Sequence, residues 1–337
     1  MRIGLLILRR LLLMSPVMVG VLVITFVIGR VIPADPVALL MGQENADEAL
    51  VQQIRHDLGL DQPIWTQFYV YVRNITRGDF GMCWSTRNPV LDDLAVRLPA
   101  TLELVIVSMI VCIVLAIPLG VYAAVKRDAF GDHVTRVASL VGVAVPGFWF
   151  GLLLIFFFYY YLRWAPPPMG RIGFRTTIVP VTGFNLIDSL LAGNLKAFGE
   201  VWAYLALPVA AVSLRKVAQL TRLVRSSMIE VLASDYIQTA RAQGLRRSTI
   251  NFRLGLKNGL LPPITQIGDM FGDLIGGAVV IELVFAWPGA GRWAVTSALA
   301  GDFGPIQAFV VICAAVRVLC FLVADILYAV IDPRIKY

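Results

Sequence analysis

Residues 226–264 read SSMIEVLASDYIQTARAQGLRRSTINFRLGLKNGLLPPI, and the rest of the chain is organised around them. This long polar, basic stretch separates two strongly apolar segments. Arg225, Arg241, Arg246, Arg247, Arg253 and Lys257 meet only Glu230 and Asp235 as counter-charges. With membrane-like sequence on either side, the stretch belongs in water or against another protein. Asp235 is the expected N-cap of a helix over 236–243, and Gly244 is a natural stop because glycine accepts positive φ. A second helix is expected from Ser248, with Ile250, Leu254 and Leu256 among its apolar positions and Pro262 and Pro263 ending it. Helix, glycine corner and helix make a compact basic knob. A solvated charged loop is the simpler alternative. The apolar residues among the charges favour a docking surface.

Composition places the knob in a membrane protein. The chain is 58% hydrophobic and only 15% charged, with a mean hydropathy of +0.77. That is too much apolar surface for a soluble globule of this length. The net charge of +7 reflects cytoplasmic loops, since no nucleic-acid motif accompanies it. The cysteines show no metal-binding spacing. No G-x-x-x-x-G-K-[ST] phosphate loop occurs, so ATP is not cradled here by that route. No nucleophile constellation or zinc motif stands out.

Taken in order, residues 1–32 read as a cytoplasmic basic start and a retained first transmembrane helix; the apolar run is too long for a signal peptide. Residues 33–100 form an extracytoplasmic helical loop domain, with short helices expected near 48–58 and 64–75. Between Pro33 and Pro99 it carries Asp35, Glu44, Asp47, Glu48, Asp57, Asp61, Asp79, Asp92 and Asp93 against Arg55, Arg73, Arg77, Arg87 and Arg97. Residues 101–337 form the core, with spans expected at about 101–125, 140–162 (kinked at Pro146), 202–223, 264–287 and 306–331. The basic knob, 224–263, sits between the fourth and fifth spans. The expected fold is therefore an all-α membrane protein with six transmembrane helices. Basic residues at Arg9, Arg10, Lys126, Arg127, Arg334 and Lys336 place both termini and the knob in the cytoplasm.

Two segments of the knob, DYIQTARAQGL (235–245) and LKNGLLPPIT (256–265), resemble the cytoplasmic coupling loop of ABC-importer permeases of the dipeptide and oligopeptide kind. LGLDQP (58–63), RLPATLEL (97–104), IPLGVYAAVKR (117–127), ELVFAWPGAGR (282–292) and DPRI (332–335) extend the resemblance over nearly the whole chain. Gln238 stands where the broader importer family has a glutamate. The resemblance implies the type I ABC-importer permease fold in a bacterial inner membrane, forming half of a pathway for short peptides. Its implied partners are a second, homologous permease, two ATP-hydrolysing subunits that hold ATP and magnesium, and an extracytoplasmic substrate-binding protein. No cofactor or metal on this chain is implied. Tyr236, Thr239, Ala240, Arg241 and Gly244 become candidate coupling residues. Relatives within the family also import glutathione or nickel chelates, and residues 33–100 either help receive the binding protein or simply cap the bundle.

Charges inside the expected spans are the remaining anomaly. The fourth carries Arg215 and Lys216, the fifth Asp269, Asp273 and Glu282, and the sixth Arg317 and Asp325. Such residues face the bundle interior, pair, or line a wet path. Glu282 and Asp325 match the family pattern; the others do not. Arg215, Lys216 and Arg317 balance Asp269, Asp273 and Glu282, which fits an ion-pair network tying helices together. The same set fits a pathway lining that favours charged or zwitterionic solutes. An ion-coupled secondary transporter using these acids is the alternative function, although the repeated broken helices of that class are not visible.

Overall fold

The computed structural model describes the backbone of residues 2–31 and 61–331 and the side chains of 12–29 and 61–322. The helix expected near 48–58 and the side chain of Asp325 lie outside these residues. The described elements are helical, apart from an isolated antiparallel bridge between Met82 and Pro89. In order they are α1 (Arg2–Val31), α2 (Ile64–Thr76), α3 (Val90–Val125), α4 (Phe130–Ala144), and α5 (Gly147–Leu154), which runs on as a π-helical stretch, Ile155–Tyr161. Then come α6 (Asn185–Leu191), α7 (Leu195–Leu232), α8 (Asp235–Ala242), a π-helical turn (Thr249–Gly255), α9 (Leu256–Gly259), α10 (Leu261–Val284), α11 (Ala290–Leu299) and α12 (Gly304–Ile331). Among the described residues, four helices (α1, α3, α7 and α12) are long and apolar enough to cross a membrane, and α4 with α5 makes a fifth if that bent pair is one span. The expected fifth crossing corresponds to α10, whose apolar run is interrupted by Asp269, Asp273 and Glu282.

The described residues within 2–98, together with 290–322, form one compact unit. Within it, Phe26 of α1 packs edge-on against Phe68 of α2 with ring centroids 5.3 Å apart, and the Tyr71 hydroxyl donates to Thr25 Oγ1 at 2.8 Å. Asp302 accepts the backbone N–H of Trp84 at 2.7 Å and holds the loop before α3.

The second unit, residues 99–289, is built on α7. This helix has 38 residues, about 57 Å at 1.5 Å per residue, against a hydrocarbon core of about 30 Å. It therefore extends well past the 202–223 expected from hydropathy. α4, α5, α6 and α10 all pack on it. Cys112, Ala116 and Ala124 of α3 are buried against Leu220, Val224 and Met228 of α7 and Met270 of α10. The spacing of four along both helices explains the contact. Small residues at 112, 116, 120 and 124 make a flat stripe, and the apolar residues of α7 recur on one face. At Gly120 the helices approach so closely that a Cβ there would lie 2.6 Å from the Val224 Cβ and 2.9 Å from the Thr221 carbonyl oxygen. Lipid tails are as apolar as the helices, so close van der Waals packing of this kind, rather than escape from water, holds such helices together.

The segment expected as a kinked third span is two helices bent by 104°. Pro146 contributes no N–H and pushes Val145 into extended backbone (φ −78°, ψ 125°), which ends α4 and starts α5 in a new direction.

Candidate coupling surface and intramembrane charges

The knob grows directly from the C-terminal end of α7. Ala233 ends that helix, and Ser234, in extended conformation, occupies the N-cap position of α8. Asp235 is thus the first helical residue rather than the cap, where its charge still favours the positive end of the helix dipole. Gly244 adopts φ +76°, and the N–H of Leu245 reaches back to the Ala240 carbonyl at 3.2 Å, closing the helix end. The returning chain is a π-helical turn followed by α9. Pro262 and Pro263 then occupy the first turn of α10, where a missing N–H costs no hydrogen bond, so they begin that helix rather than close the knob.

Ile237, Ala240 and Ile250 form the knob's own buried core, with Leu232 and Leu254 around it. Ala240 is therefore part of the packing. Tyr236 bridges the two arms at their edge: its hydroxyl accepts from Asn258 Nδ2 at 2.8 Å. Arg241 Nη2 donates to the Leu232 carbonyl at 3.2 Å, tying α8 to the end of α7, and Gln238 Nε2 donates to the Ala233 carbonyl at 3.2 Å. Thr239 is exposed and returns its hydroxyl to the Asp235 carbonyl. The outer face presents Tyr236, Leu245 and Phe252, the last 60% exposed, among the exposed Arg246, Arg247, Arg253 and Lys257. An apolar face rimmed by cations is fit to dock an acidic-rimmed protein groove.

The intramembrane charges separate into different environments. Lys216 Nζ lies 2.8 Å from Asp273 Oδ2, joining α7 to α10. Glu282 is fully buried and accepts the Thr101 hydroxyl at 2.5 Å. Beside it the Trp287 indole N–H donates to the Ala100 carbonyl at 2.9 Å, so the start of 99–125 and the end of α10 are held by buried polar contacts. Arg317 places its guanidinium 5.5 Å from the centre of the Phe321 ring. Arg215 and Asp269 are exposed side chains.

Comparison with known proteins decides the family. Residues 116–337 match the family described as “Binding-protein-dependent transport system inner membrane component”, and residues 4–105 match the N-terminal region of the same kind of component. The chain belongs to this family of importer permeases. It is 43% identical over 319 residues to the probable D,D-dipeptide transport system permease protein of Escherichia coli (strain K12), covering 95% of this chain and 94% of that one. It is 36% identical to the dipeptide transport system permease protein of Alkalihalophilus pseudofirmus, with 98% of each chain covered. The oligopeptide transport system permease protein of Bacillus subtilis (strain 168) is 38% identical, over 98% of this chain and 99% of that one.

The permease also has polar fastenings that reading the spans one by one did not single out. Glu103 accepts from Arg171 Nη2 at 2.5 Å and from the Leu186 N–H at 2.7 Å, fixing residues 171–186 over the start of the 99–125 helix. A carboxylate inside the apolar run of α3 was the signal for it. Asp188 is buried and accepts the Thr182 hydroxyl and the N–H groups of Val181, Thr182 and Gly183. Burial pushes its carboxyl up, but these four donors outweigh that and hold it below the usual carboxylate range. Nothing in the local pattern distinguishes Asp188 from an ordinary loop acid.

Proposed function

We propose that this permease is one half of the translocation pathway of a peptide-class ABC importer. Six membrane crossings, with both termini and the knob on the cytoplasmic side, are the topology of this reading. A second, similar permease completes the pathway. Two separate subunits bind ATP with magnesium and hydrolyse it, and an extracytoplasmic binding protein delivers a short peptide.

The single observation that carries the reading is the knob: a folded unit with its own core, standing off the end of a continuous helix that passes through the bundle. An ATPase subunit gripping such a knob moves α7 as a lever. To drive transport it must favour one bundle state over another, since equal affinity for both shifts nothing. Tyr236, Thr239, Arg241 and the corner at Gly244 set the knob's shape, and Tyr236, Leu245 and Phe252 offer its apolar contact. The peptide class is supported by the names of the relatives, which are dipeptide and oligopeptide permeases.

The test is co-purification of the chain with the products of its neighbouring genes, followed by ATPase assay with peptide-loaded binding protein. Stimulated ATPase activity is the expected result, and Phe252→Glu should release the ATPase subunits while leaving the permease folded. A chain that isolates alone and moves solute down an ion gradient would overturn the proposal.

A further inference from the structure

On α10, Met270, Leu274, Ala278 and Ile281 are buried. These recur at helical spacing and mark the face that packs on the rest of the chain. Thr265, Asp269, Asp273 and Gly276 recur in the same way on a different face, and all are exposed. A face bearing two carboxylates within an expected span does not belong against lipid. A Cβ at Gly276 or Gly277 would meet nothing within 4 Å, so the helix leaves open space immediately beyond Asp273. Lys216 reaches this face from α7 and commits one of its N–H donors to Asp273. Its side chain is 15% exposed and that of Asp273 is 47% exposed, so the pair is anchored on the lysine side and opens outward on the carboxylate side.

We propose that Lys216, Asp273 and Asp269 form a site in the pathway that reads the two charged ends of a short peptide in transit. This rests on the peptide-importer reading above. The match is chemical and metric. A dipeptide's ammonium and carboxylate are separated by roughly 6 Å, given about 3.8 Å between successive Cα atoms. Asp269 and Asp273 are four residues apart, roughly 6 Å along the helix, with the cation of Lys216 at the Asp273 end. The peptide carboxylate takes the place of Asp273 on Lys216, and the peptide ammonium lies along the two aspartates. With the zwitterion bound, its carboxylate is compensated by Lys216 and its ammonium by the two aspartates, so neither charged end of the peptide is stranded. A solute that brings a carboxylate without an ammonium would take Lys216 from Asp273 and leave that aspartate uncompensated, and a solute with neither charge gains no counter-charge from the site. Because the internal pair competes for the same groups, binding stays weak enough for release, as a transit site requires.

The experiment uses the assembled complex carrying Gly276→Cys or, separately, Gly277→Cys, labelled by a water-soluble methanethiosulfonate. Labelling of the native cysteines is measured in the parent complex and subtracted. Alanyl-alanine should slow labelling several-fold, N-acetyl-alanyl-alanine amide should not, and the protection should vanish in K216Q/D273N. Failure of both cysteines to label, equal protection by the two compounds, or protection unchanged in K216Q/D273N would each overturn the site. ATPase stimulation by peptide-loaded binding protein, measured on the parent complex, reads the importer assignment separately. Stimulation without peptide protection overturns this site alone. Absence of stimulation overturns the importer reading and this role with it.

Discussion

Arg225 of α7 grips Asp132 of α4 through two hydrogen bonds, Nε to Oδ1 at 2.5 Å and Nη2 to Oδ2 at 2.7 Å. Asp132 is fully buried and also accepts the N–H of Asp128, whose φ of +61° turns the chain after α3. One carboxylate thus joins the loop after α3 to the stretch of α7 that leads into the knob.

Removing one partner of such a pair leaves a buried charge uncompensated, at a cost of about 3–5 kcal/mol. Asp132→Ala and Arg225→Met should each lower the thermal unfolding temperature of the purified complex by a large, similar amount. The double variant should be much less destabilised than the sum of the two. Arg225→Lys should recover little, because an ammonium cannot make the two-pronged contact. Additive losses would show that the residues act independently.

At Gly120 the α3–α7 approach leaves no room for a methyl group. Gly120→Ala should destabilise the permease by about 1–3 kcal/mol through overpacking, despite alanine's better helix propensity. Val224→Gly in the same chain should relieve the clash with the valine side chain. Unfolding temperatures in detergent check both; a neutral Gly120→Ala would mean that the helices separate easily there.

Gly244 is the opposite case, with open space around it and φ at +76°. Strain there comes from the backbone rather than from neighbours, about 1–2 kcal/mol for an ordinary L-residue. Gly244→Val should disturb the corner and lower peptide-stimulated ATPase activity, whereas Gly244→Asn should be tolerated, since asparagine visits left-handed backbone more readily. Equal activity of the two variants would argue against a role for the corner in coupling.

Asp188 should make residues 181–188 acid-sensitive. Its folded carboxyl lies below the ordinary range, so it contributes stability that is fully present above the unfolded value of about 3.9 and is lost as pH falls through the folded value. Proteolysis of residues 181–188 should rise on acidification, and Asp188→Asn should abolish that pH dependence. An unchanged acid response in the variant would assign the effect to another group.

By itself the amino-acid sequence determined the class, the place of the knob and the helix-ending glycine. Those readings rest on local physics: apolar runs need a membrane, a basic stretch needs water, and Gly244 accepts the backbone its neighbours refuse. It also placed the charges within their helices, because period and depth follow from residue spacing. Only the tertiary structure decided their partners. Lys216 met Asp273 while Glu282 met Thr101, and Asp132 became the buried anchor of Arg225. Pairing depends on which helix faces lie together at side-chain distance, and that comes from packing around α7, from the small-residue stripe of α3 and the corner at Pro146, rather than from any local pattern along the chain.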